Sequence, residues 1–226
     1  MSKSVGKDIH GELNYAPITL FAEKIKIGVI GAGRGALIKV KNFYNKNSNI
    51  EVLALDFLDE FYTFNKDRVK LIQGNYDREF ILDKHLIIIA IDDKYVVNNI
   101  KKDCKELYKI YINSSSFKEG MGVIPVSRES DSIIVSVNTK VGNPRGAVMV
   151  ADYITKSLKT FDDYINLTGK IRNSLNIDRR EKEELIKFIN CSDCKFFYDK
   201  NKIIEIFRLF YNDDIVNKII SLGKEE

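Results

Sequence analysis

The chain has 226 residues, 44% hydrophobic and 30% charged, enough for one large core or two small ones without covalent staples. Its 36 basic and 32 acidic residues leave a net charge of +4, and the lysines are scattered, so the charge gives no ground for a nucleic-acid partner. No apolar run spans a bilayer and the opening Met1 to Gly11 is polar, so no membrane partner and a cytoplasmic location are expected, with Cys104, Cys191 and Cys194 as thiols.

In chain order, Tyr15 to Phe21 reads as a short extended edge or lead-in element, because Pro17 cannot donate a ladder hydrogen bond. From Lys24 to about Asn113, short β-branched runs alternate with amphipathic segments, the pattern of a parallel sheet wrapped by helices. The strand runs are 25–30, 50–55, 69–73, 85–90 and 109–113. Helices are expected at 34–45, 77–82 and 94–107, with 58–65 a weaker segment. Two further runs, 123–126 and 133–137, flank a charged stretch and suit a hairpin that continues the sheet. From Asn143-Pro144, an N-cap followed by proline at the first helical position, the spacing is helical to the end, with breaks near 173–176 and 190–198. Asp178 and Glu181 have capping-box spacing at the start of the second of these helices.

The strongest local signal is an apolar strand running into Gly31-Ala32-Gly33-Arg34-Gly35-Ala36 and then a helix, which is G-x-G-x-x-A in the context that a dinucleotide needs. Gly31 permits the tight turn, Gly33 lets backbone N–H groups approach a pyrophosphate, and Ala36 lets helix and strand pack closely. Asp56 closes the second strand about twenty residues on. There it either accepts hydrogen bonds from the adenosine ribose, favouring NAD over NADP, or is a solvated acid among several. Cys191 and Cys194 have C-x-x-C spacing, open to a metal grip or to two buried thiols in an inter-helix turn. His85 opens an apolar strand and reads as a strand-end hydrogen-bonder.

Gly31 through Lys39 resembles the G-G-G-x-V-A-x-R-K signature of precorrin-2 dehydrogenases, the NAD-dependent part of siroheme synthases. Lys70 to Asp77 and Leu86 to Asp93 resemble that family's third strand and its A-A-T-D-D segment. Ile124-Pro125-Val126, Ile133 to Thr139 and Asn143-Pro144 sit where the family has its I-V-P hairpin and S-T-x-G-x-S-P turn. Tyr15 to Ile18 resembles the family's entry, and Arg179-Arg180 falls in its C-terminal helices, so the likeness spans about residues 15 to 190. The resemblance implies an α/β fold: a Rossmann-type parallel sheet (1–115), a small strand-helix dimerisation region (116–160) and a C-terminal helical domain (161–226), in a homodimer. It implies oxidation of precorrin-2 to sirohydrochlorin with NAD as cofactor and a tetrapyrrole as substrate, and in some members iron insertion.

For the site, the resemblance implies cofactor contacts from Gly31, Gly33, Arg34, Gly35, Ala36, Asp56, Asp92 and Asp93. The family's N-V-V-D, whose aspartate serves catalysis, reads Asn113-Ser114-Ser115-Ser116 here. Ser116 therefore stands in the catalytic position, with nearby Glu119 as the alternative acid. Asn113, Lys118, Arg128, Lys140 and Arg145 fall where substrate is bound, the cations serving either as counter-charges to a polycarboxylate or as solvated surface groups. Two readings follow: a precorrin-2 dehydrogenase, or a catalytically impaired relative that binds NAD or tetrapyrrole as sensor or carrier. A third, an NAD-sensing regulatory domain, lacks the hairpin and helical tail in this order.

Overall fold

The structure, a computed structural model, describes residues 14–223. The polar opening stretch lies outside them. The chain divides into two compact units, the first ending at Ile124 and the second beginning at Pro125.

The first unit holds five parallel strands, β1 (Lys26–Ile30), β2 (Asn49–Ala54), β3 (Val69–Gln73), β4 (Leu86–Ile89) and β5 (Ile110–Asn113), in the order β3-β2-β1-β4-β5. Side chains alternate between faces. Ile27, Val29, Ile50, Val52, Leu86 and Ile88 form one core with Ala36, Leu37 and Val40 of α1 (Arg34–Tyr44). Ile30, Ile87 and Ile89 form the other with Val97, Ile100 and Cys104 of α2 (Lys94–Glu106). β4, buried on both faces, reads as a continuous apolar run, whereas the outer β3 leaves Lys70 and Gln73 exposed. Each fully buried isoleucine contributes about 1.5–3 kcal/mol. The order reverses between β1 and β4, so the connections after these neighbours leave in opposite directions and open a crevice at the strands' C-terminal ends.

Three expectations are corrected in this unit. Segment 77–82 is a single 3-10 turn, Arg78–Ile81, because Asp77 accepts the Glu79 N–H at 2.8 Å and the link from β3 to β4 is too short to nucleate an α-helix. Residues 59–63 are likewise one 3-10 turn. Of the two readings of Tyr15 to Phe21, the edge strand is not formed and the segment is a lead-in; Ile18, Leu20 and Phe21 are exposed, and Pro17 withholds a donor. His85 does close a strand end: its Nδ1 accepts the Lys26 N–H at 2.9 Å.

In the second unit, β6 (Val126–Glu129) and β7 (Ile134–Val137) pair antiparallel as the expected hairpin, but as a separate sheet and not as an extension of the parallel one. The chain bends away after β5, where the Met121 N–H returns to the Tyr111 carbonyl at 2.8 Å. The hairpin packs on α3 (Pro144–Ser174), a helix of 31 residues capped by Asn143, whose side chain accepts the Gly146 N–H at 2.9 Å. Buried Asp162 of α3 accepts the Ser130 hydroxyl at 2.7 Å and the Ser132 N–H at 3.0 Å, fastening the hairpin tip. Four shorter helices follow: α4 (Arg179–Ile189), α5 (Ser192–Asp199), α6 (Ile203–Phe210) and α7 (Asp213–Leu222). They bury Leu185, Ile189, Phe207, Val216 and Ile219 against Tyr164 and Ile171 of α3. The break after α3 is as expected, with Asp178 capping α4 through the Arg180 N–H at 3.0 Å. The second break shrinks to Asn190-Cys191, because Cys191 itself caps α5.

Asp162→Ala is expected to cost about 2 kcal/mol, since it strands a hydroxyl and a backbone N–H. A fall in the urea midpoint with unchanged slope is the expected reading.

Candidate functional site

At the end of β1, Gly31 adopts φ +105°, and a Cβ there would stand 2.3 Å from the Ala90 carbonyl oxygen and 2.8 Å from Ile91 Cγ2. Only glycine lets the two strand ends approach so closely. The Gly31 N–H donates to the Leu53 carbonyl at 2.8 Å, tying the turn to β2 as well.

Beyond the turn the backbone is open. A Cβ on Gly33 or Gly35 would meet nothing within 4 Å. Gly33 is the N-cap of α1 with no side-chain cap, and the first turn of α1 has no acidic residue. Its leading N–H groups thus have no side-chain acceptor at the N-cap and carry the positive end of the helix dipole, which fits a pyrophosphate. Arg34, exposed at the first helical position, adds a cation. Ala36 is buried against the sheet. Asp56 lies exposed just past β2, at the same edge of the sheet as Gly31. The residues present fit a dinucleotide.

Beside this turn is a cleft of about 550 Å³, lined by Ile91, Asp92, Lys94, Val97, Asn98, Asn113, Ser115, Ser116 and Glu119. Its floor is set by Asn113 at the end of β5, which is 2% exposed. Asn113 Oδ1 accepts the N–H groups of Ser115 at 3.1 Å and Ser116 at 3.3 Å, curling the serines over the strand end. Ser115 Oγ donates to Asp92 Oδ1 at 3.1 Å. Glu119, on the 3-10 turn after the serines, accepts from Lys101 Nζ at 2.6 Å and from the Ser116 hydroxyl. The Lys101 ammonium holds the Glu119 carboxyl below the usual carboxylate range.

The cleft thus gathers Asp92, Asn113, Ser116 and Glu119 from the sequence-derived set. Asp93 caps α2, its Oδ1 accepting the N–H groups of Tyr95 at 2.9 Å and Val96 at 3.1 Å. This second helix N-terminus is already satisfied, unlike that of α1. Lys118 is exposed beside Glu119 but does not line the cleft. Arg128, Lys140 and Arg145 belong to the second unit: Arg128 Nε pairs with Asp152 at 2.7 Å, Lys140 is exposed in the turn after β7, and Arg145 is exposed in the first turn of α3. Sequence reasoning missed Lys94, Asn98 and Lys101. They share one i, i+4, i+7 stripe of α2, a polar helix face that in sequence is no different from a solvated one.

Gly33→Val is expected to abolish NAD binding while changing stability by about 1 kcal/mol or less, because Gly33 has ordinary extended backbone and its Cβ would meet only open space. Gly31→Ala is expected to lower stability by about 2 kcal/mol or more through its positive φ and the Ala90 clash. Calorimetric NAD titration with thermal melts of both variants separates the two roles.

Residues 18–126 match a family model described as "Putative NAD(P)-binding". The chain is similar to a protein of Methanocaldococcus jannaschii named "Putative precorrin-2 dehydrogenase", 28% identical over 202 residues that cover 84% of this chain and 96% of that protein. Its fold is similar to the solved structure of SirC, a precorrin-2 dehydrogenase, with a TM-score of 0.67 at 16% identity, covering 94% of this chain and 100% of the other. The family model supports a dinucleotide-binding first unit with NAD as its cofactor, and the chain is similar in sequence and in fold to the two precorrin-2 dehydrogenases named.

Proposed function

We propose that the protein oxidises precorrin-2 to sirohydrochlorin with NAD. The observation that carries this is the shared wall of the two sites: Ile91, which lines the cleft, packs against the Gly31 turn. A dinucleotide seated on α1 and a substrate in the cleft are thereby neighbours, as transfer between them requires. NAD supplies hydride acceptance when bound; orientation and proton handling fall to the chain.

In this reading the N–H groups of α1 hold the pyrophosphate and Asp56 accepts from the ribose hydroxyls. Asp92 and Asn113 meet the substrate edge. Glu119, anionic and anchored by Lys101, takes the proton released on oxidation, directly or through the Ser116 hydroxyl that donates to it. Lys118, Arg128, Lys140 and Arg145 supply counter-charges to substrate carboxylates, with Arg128 exchanging its Asp152 partner for one of them. We further propose a homodimer joined through residues 116–160, where Ile134, Met149 and Tyr153 are exposed apolar groups, and a cytoplasmic location. Among the described residues no helix is long and apolar enough to cross a membrane.

One observation favours a second reading, a silent relative that binds NAD or tetrapyrrole as sensor or carrier. Ser116 offers a hydroxyl where the family has an acid, and Glu119 is a weakened base while Lys101 holds it.

NAD is expected to bind more tightly than NADP, and Asp56→Ala to narrow the gap. Equal affinities in the wild type would remove Asp56 from the ribose site. Turnover is followed as NADH formation with precorrin-2. Slow dehydrogenation and negligible iron insertion, assayed separately, are expected of the wild type, with a gain in the first for Ser116→Asp at unchanged NAD affinity. Losing a positioned proton acceptor removes about 100-fold to 10,000-fold in rate, so Glu119→Gln is expected to fall by that order. Lys101→Met should move the acidic limb of the rate profile to higher pH, because it frees the Glu119 carboxyl to rise towards its ordinary value. NAD binding with no NADH formed by wild type or Ser116→Asp would select the second reading.

A further inference from the structure

The turn between α4 and α5 carries Cys191 and Cys194, which the proposed reaction does not use. Cys191 is the N-cap of α5, and its Sγ accepts the Cys194 N–H at 3.4 Å. The first thiol therefore hangs over the helical turn from which the second projects. Cα atoms three positions apart in a helical turn lie about 5 Å from one another, inside the span of about 4.4–6.8 Å that a disulfide bridges.

The two thiols differ in access. Cys191 is partly exposed, whereas Cys194 is 1% exposed in the core with Leu185, Ile189 and Phe207. Burial pushes the Cys194 thiol up, so it waits as the protonated partner. Tyr164 lies against it, its hydroxyl hydrogen-bonded to the Ile189 carbonyl and within reach of the Cys194 sulfur. Among the described residues no group of three or more His, Cys, Asp or Glu is placed to hold a metal ion, so the pair has no further protein ligands there. Cys104, in the first unit, is wholly buried and pushed up to about 12, which makes it an inert internal reference.

We propose that Cys191 and Cys194 form a thiol–disulfide exchange site for small-molecule disulfides. The Cys191 thiolate attacks one sulfur of the incoming disulfide. That S–S bond breaks, one thiolate leaves, and a mixed disulfide stands on Cys191. Cys194 gives its proton to solvent and attacks the Cys191 sulfur, forming the intramolecular bond and expelling the second thiolate, which takes up a proton. The protein dithiol loses two electrons and the small disulfide is reduced to two thiols. Because Cys194 lies in the helical core, the oxidation state is written directly into the packing of α5.

The test equilibrates the full chain in buffers of reduced and oxidised glutathione at varied ratio, quenches with acid, alkylates with maleimide and maps the labels by mass spectrometry. Two alkylation sites are expected to vanish together, both within 191–194, with Cys104 unchanged and complete return on adding dithiothreitol. Cys194→Ser should stop at a single glutathione adduct on Cys191. Cys191→Ser should react at least 100-fold more slowly than wild type, since only the buried thiol remains. Circular dichroism establishes that each variant is folded. Wild type that stays fully reduced in oxidised glutathione, that keeps the adduct unresolved, or that yields only disulfide-linked dimers would overturn the proposal, as would a Cys191→Ser variant that reacts at the wild-type rate.

Discussion

The close approach of β1 to the end of β4 organises the first unit. Gly31 stands where any side chain would collide with the Ala90 carbonyl, and that contact sets where both strands stop. With β1 ended there, α1 begins uncapped and its first N–H groups open outward. With β4 ended there, Ile91 and Asp92 turn to form the wall of the cleft. One absent methyl group thus serves the helix start and the cleft wall together, and a change at this position would disturb both at once. The contrast with Gly33 is instructive, because there the room lies towards solvent and the chain itself needs none of it.

The same economy of placement governs the two helix N-termini of the unit. α1 lacks a capping side chain and a first-turn acid, so its dipole is available to an external anion. α2 has Asp93, whose carboxylate accepts two of its leading N–H groups and cancels much of that field. A diphosphate therefore has one electrostatically favoured seat among these two helices. The cap also fixes the backbone beside Asp92, which leaves that carboxylate to the cleft and to Ser115.

The fold was legible wherever burial was two-sided. Leu86 to Ile89 is apolar without interruption, the other runs carry only one or two polar residues each, and the structure pairs all five within a residue or two of the expected bounds. Reading failed where local hydrogen bonds outweighed periodicity. Asp77 tightened an amphipathic stretch into one 3-10 turn, and Cys191 used its sulfur to start a helix where the sequence suggested a break. The glycine turn was readable because backbone geometry dictates its composition. The stripe of Lys94, Asn98 and Lys101 was not, because a polar helix face looks the same whether it meets solvent or a cleft. Nor does a sequence reveal that Arg128 already has Asp152 for company.

The most informative departure is the displacement of charge from the position of Ser116 to Glu119. A carboxylate at Ser116 would rise directly from the cleft floor, where Asn113 Oδ1 holds the backbone N–H. Glu119 instead sits one turn along, with the Ser116 hydroxyl between its charge and the strand end, and Lys101 reaches it from α2. The negative charge has been kept within the cleft while its proton affinity has been lowered. A base of that kind remains ionised throughout the neutral range and accepts a proton less readily than an unpaired carboxylate would. Under the proposed function that weakening falls hardest on any step that must take protons from ring nitrogens and least on hydride transfer, whose driving force comes from the cofactor.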